Sequence, residues 1–67
     1  MKAYRILVHD GREAAPIELA AELRNDARAY EFARERLGSS DHYVAIEVWR
    51  DAVQLCHLVD PELRAAA

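Results

Sequence analysis

Few side chains in this sequence could do chemistry: His9, His42, His57, the single cysteine Cys56, and the neighbouring pair Ser39 and Ser40. Three histidines and a thiol invite a metal reading, but their spacing fits no finger or ribbon. Cys56 and His57 are also adjacent on a strand-like run and so point to opposite faces. His9-Asp10 and Asp41-His42 pair a base with a carboxylate. Both stand at expected strand ends, where polar residues are ordinary, and sequence neighbours rarely have the geometry of an oriented base. No Ser, Thr or Cys stands in a nucleophile context. Cys56 has no neighbouring lysine or helix terminus, which makes it a small apolar filler rather than a reactive thiol. The two glycines, Gly11 and Gly38, lie far apart and build no phosphate-cradling loop. No metal and no cofactor are therefore expected, and an enzyme is disfavoured. The alternative that keeps chemistry alive is a small-ligand site or minor active site, with a cleft near His9, Glu47 and His57.

Whether those groups meet depends on the elements that carry them. Ala3 to His9 is rich in strand formers, with Tyr4, Ile6 and Val8 on one face and Arg5, Leu7 and His9 on the other. Asp10-Gly11 then signals a turn. From Pro16 to Arg24, Ile17, Leu19, Ala21 and Leu23 alternate with polar or small residues, which reads as a second hairpin arm. The same residues have high helix propensity, so one helix from Pro16 to Leu37 is the rival reading. Asn25-Asp26 favours strand then helix, because Asn caps the first amides and Asp complements the dipole. The expected helix, Asp26 to Leu37, packs through Tyr30, Ala33 and Leu37 and ends at Gly38 as a C′ residue. Phe32 falls off that stripe and either extends the core or marks a second surface.

Tyr43 to Trp49 alternates again, with Val44, Ile46 and Val48 on one side and Tyr43, Ala45, Glu47 and Trp49 on the other. Arg50-Asp51-Ala52 joins it to a last strand, Val53 to Val59, as a hairpin. Pro61 stops pairing, and residues 62–67 read as a frayed tail. The expected fold is α+β, ββαββ (or βαββ), with one helix on one face of a three- or four-stranded, mostly antiparallel sheet. Residues 1–61 form its single domain.

Composition narrows the rest. A chain of 67 residues buries only about 60% of its unfolded surface. Thirteen of its apolar residues are Ala, so the core is thin. One cysteine allows no intrachain disulfide, which leaves self-association as a source of stability. Net charge is −3, against the basic surplus that phosphate binding needs, so no nucleic acid is expected. Met1 to Asp10 is neither signal peptide nor membrane span, which makes the cytoplasm the default and a membrane partner unexpected. Eight of nine basic residues are Arg, a bias associated with GC-rich bacteria.

One helix covers one sheet face, and Ile6, Val8, Val44, Ile46 and Val48 are its expected side. The other side then carries Leu7, His9, Tyr43, Glu47 and Trp49, with Cys56 and Leu58 as further candidates. That is more apolar and aromatic than a solvated face usually is. The functional reading is a protein-interaction domain, a homodimer through Leu7, Tyr43, Glu47 and Trp49. The plain reading is a half-exposed face on which Arg5 and Glu47 cover the aromatics. Pairing through a sheet edge is a separate route.

The segments Ala3-Tyr-Arg-Ile, Asn25-Asp-Ala-Arg-Ala and Ala45-Ile-Glu-Val-Trp resemble short hypothetical bacterial proteins of a domain-of-unknown-function type. That resemblance implies a ββαββ-like fold and no active site. The chain departs from it after Trp49, where Arg50-Asp51-Ala52 replaces a glycine-containing turn.

Overall fold

The computed structural model describes residues 1–60. The expected tail, with Pro61, lies outside the described residues. The chain runs β1 (Lys2–Asp10), β2 (Ile17–Leu23), α1 (Asp26–Leu37), β3 (Tyr43–Arg50) and β4 (Val53–Val59). All neighbouring strands are antiparallel, in the order β2-β1-β3-β4, and α1 packs on one face. This is the α+β, ββαββ arrangement that the alternation predicts.

Residues 17–23 form a strand and not the first turns of a long helix. They pair with β1 from Val8↔Ile17 to Lys2↔Leu23, so tertiary pairing overrides their helix propensity. Asn25 stops the strand and starts the helix, its side-chain oxygen accepting the Arg28 amide at 2.9 Å. At the far end Gly38 keeps a right-handed φ of −79°, so the helix does not finish on a left-handed glycine. The Ser39 hydroxyl and amide instead both donate to the Arg36 carbonyl.

The core joins Tyr4, Ile6 and Val8 of β1 to Ile46 and Val48 of β3, under Ala29 and Ala33 of α1. Ile6, Ile46 and Val48 are fully buried. The contact stripe of the helix therefore differs from the expected one. Tyr30 is 43% exposed, whereas Ala29 and Ala33 are sealed and Phe32 and Leu37 pack at the margins. The β-branched layer beneath fills the space, so the helix approaches closely only where its own side chains are small. Phe32 thus extends the core.

Two polar clamps tie the ends together. The buried Asp10 carboxylate accepts Nε, an Nη and the backbone amide of Arg12. The Tyr4 hydroxyl donates to Asp26 at 2.6 Å, and Arg50 donates to both Asp26 oxygens at 2.8 and 2.9 Å. The Arg12 bonds hold Asp10 down at about 2, from an ordinary 3.8. A lowered carboxyl stabilises the fold above its unfolded value and loses that contribution as pH falls through its folded one. The unfolding midpoint should therefore drop between pH 3.8 and 2, and drop less in Asp10→Asn. Glu47 and Asp26 are also held low, so the difference between the two curves isolates Asp10. Thermal melts across that range check it.

The β3–β4 turn lacks glycine yet needs one left-handed residue, and Asp51 takes it at φ 55°. Aspartate tolerates this region better than most residues but still at a cost. Asp51→Gly should raise stability by about 0.5 kcal/mol, or roughly 2–4 °C, and Asp51→Val should lower it. Thermal unfolding of the two variants measures both.

Candidate functional site

Cross-strand partners in an antiparallel sheet share a face, so the registers place every side chain. On the helix-free side one row reads Glu18, Leu7, Glu47, His57, and the next reads Ala20, Arg5, Trp49, Gln54. His9, Ala45 and Val59 follow on the other flank of the first row. Leu7, His9, Glu47 and Trp49 therefore lie together on the face that α1 leaves bare, all half-buried.

Tyr43 does not join them. β3 carries a bulge at Val44, where the partners step from His9↔Ala45 to Asp10↔Tyr43. The extra residue reverses the alternation, so Tyr43 shares the side of Asp10 and packs against the buried cluster. Cys56 and Leu58 also leave the expected set. They pair with Val48 and Ile46 and pack against the core. Burial pushes the Cys56 thiol up, away from the thiolate that reactivity requires.

Glu47 organises the face. Its Oε2 meets His9 Nε2 at 2.5 Å, while its Oε1 accepts Trp49 Nε1 at 3.2 Å and Gln54 Nε2 at 2.8 Å. The Glu47 side chain is 18% exposed. The bond from His9 holds its carboxyl below the usual range, against the opposing effect of burial. Arg5 lies 5.7 Å from the Trp49 ring centroid and also pairs with Glu18 at 3.4 Å. The indole is thereby fixed at its nitrogen and covered by a cation at its face.

Gln54 is the functional neighbour that sequence reasoning missed. Counting by twos from His57 puts it on the helix side. β4 is bulged at Leu55, where Val48↔Cys56 steps to Trp49↔Gln54, and this turns Gln54 outward to Glu47. No spacing in the sequence marks that bulge.

His9, Glu47 and His57 do share one side, as the ligand-site alternative requires. Yet both Glu47 oxygens are occupied from within the chain. Among the described residues, no group of three His, Cys, Asp or Glu side chains is placed to hold a metal ion. Among the same residues, no helix is long and apolar enough to cross a membrane. Comparison with protein-family models, curated proteins and solved structures gives no match, so function rests on this geometry.

Proposed function

We propose that this domain works by protein–protein contact and associates with a second copy of itself through the helix-free face around Leu7, Glu47 and Trp49. The observation that carries the reading is Trp49. A large aromatic sits half-buried on the sheet face that α1 does not cover, under the Arg5 guanidinium, and its indole N–H is already bonded to Glu47. An aromatic fixed in advance loses little entropy on binding, the property of an interface anchor.

The sheet edges compete poorly for the same role. β2 carries Glu18 and Glu22 along its length, and β4 is bent by the bulge at Leu55. Charges and bulges both blunt an edge against strand addition. The face also has a size. Four strands about 4.8 Å apart and seven residues at about 3.3 Å each give roughly 400 Å² in projection. That is small against the roughly 800 Å² per partner of a standard interface, which puts such a dimer in the weak, transient class. The acidic net charge and lone cysteine fit a cytoplasmic site of action without nucleic acid.

The ligand-site reading has the shared face of His9, Glu47 and His57 in its favour. Against it stand the three internal partners that already engage both Glu47 oxygens. Sedimentation equilibrium across the micromolar range tests the proposal. A concentration-dependent monomer–dimer equilibrium supports it, and a monomer throughout removes it.

A further inference from the structure

The charge pattern of the bare face limits how a second copy can lie on it. We infer that the two sheets stack with their two-fold axis along the strands, so that β2 of one copy lies over β4 of the other and β1 over β3. This inference rests on the self-association proposed above and adds the orientation of the partner.

A two-fold dimer uses the same patch on both copies. Face-to-face sheets keep their strands within about 30° of each other, and the orthogonal alternative relies on strands that pass from one sheet to the other at corners, which two separate chains do not share. Two aligned arrangements remain. With the axis across the strands, each strand lies over its own copy, and the acidic strip of Glu18 and Glu22 on β2 meets itself. With the axis along the strands, the order of each row is reversed over its partner. Glu18 then lies over His57 of the second copy, and Arg5 over its Trp49.

The observed charges separate the two cases. Glu18 and Glu22 are exposed on the open side of β2, whereas β4 contributes only Gln54, His57 and Val59 there, with no acid. Glu47, the other acid of the face among the described residues, is already bonded to His9, Trp49 and Gln54. Stacking β2 on itself sets Glu22, and Glu18 with its Arg5 partner, against their own copies, and the like charge of Glu22 is what an interface disfavours. Stacking β2 on β4 sets them against a neutral or cationic strand. The Arg5 guanidinium, already 5.7 Å from its own Trp49 ring, also gains a second indole within reach.

Cross-linking decides the orientation. Glu18→Cys and His57→Cys are made as separate chains, each also carrying Cys56→Ser, so that any link formed is between copies. Both positions are exposed, so folding is not at stake. A short bis-maleimide spanning about the 10 Å between packed sheets is added to each chain alone and to their mixture. The inference expects a covalent dimer in the mixture and none with Glu18→Cys alone. A covalent dimer from Glu18→Cys alone overturns it, as does a sedimenting dimer whose mixture fails to link. If the unmodified protein sediments as a monomer, the self-association reading itself has failed, and the orientation falls with it.

Discussion

Ala33→Leu should destabilise the fold by about 2–3 kcal/mol, lowering the unfolding midpoint by roughly 10–20 °C, whereas Tyr30→Ala should change it by less than about 1 kcal/mol. The contrast follows from which helix residues face the sheet. Ala29 and Ala33 have no exposed surface, and they sit over Ile6, Val8, Ile46 and Val48, themselves at most 1% exposed. Three extra carbons at position 33 have nowhere to go unless the helix lifts off the sheet. A domain of this length has a total stability of about 3–10 kcal/mol, so the substitution removes a large share of it. Tyr30 is 43% exposed, outside the buried cluster, with Arg34 over its ring at 5.9 Å, so its loss removes little buried surface. Thermal or urea unfolding of the two variants checks the order. Equal effects would return Tyr30 to the packing stripe.

Trp49→Ala should weaken self-association by about 30-fold or more while leaving a folded chain, the behaviour of an interface hot spot worth at least about 2 kcal/mol. The indole lies outside the buried cluster, and Glu47 keeps His9 and Gln54 as partners when Trp49 is gone. The folding cost is thus confined to one hydrogen bond, the Arg5 contact and a half-buried ring. Leu7→Glu reaches the same end by charge. It places a carboxylate between Glu18 and Glu47, its neighbours on either side, and sets like charge into the middle of the face. Sedimentation of each variant beside its circular dichroism separates lost association from lost folding. A variant that unfolds says nothing against the face; a folded variant that associates as before does.

What the sequence made legible was whatever obeys a simple period. The alternation in β1 and in the middle of β3 places Ile6, Val8, Ile46 and Val48 correctly, because those strands run unbroken there. Asn25 is legible as a cap because its side chain competes with the helix backbone and suits no other position as well. Residues 17–23 are ambiguous in isolation, since Leu, Ala and Glu serve a helix as readily as a strand, and only pairing with β1 decides. Tyr43 is misplaced by counting because a bulge at Val44 reverses the parity of the residue before it, and a second bulge at Leu55 puts Gln54 and Cys56 on opposite faces, which no spacing in the sequence shows. The helix stripe goes wrong for a different reason. Counting favours the large residue, Tyr30, while close packing against a β-branched layer favours the small ones, Ala29 and Ala33.

Because Trp49 is the chain's single tryptophan, its fluorescence reports on the bare face alone. Acrylamide quenching of that signal, measured from about 1 µM to about 500 µM protein, follows whether a second molecule shields the ring where one helix cannot. The quenching constant should fall as concentration rises, and should stay at its dilute value in Leu7→Glu. A constant that ignores concentration in the unmodified protein leaves Trp49 facing water, and the face without its partner.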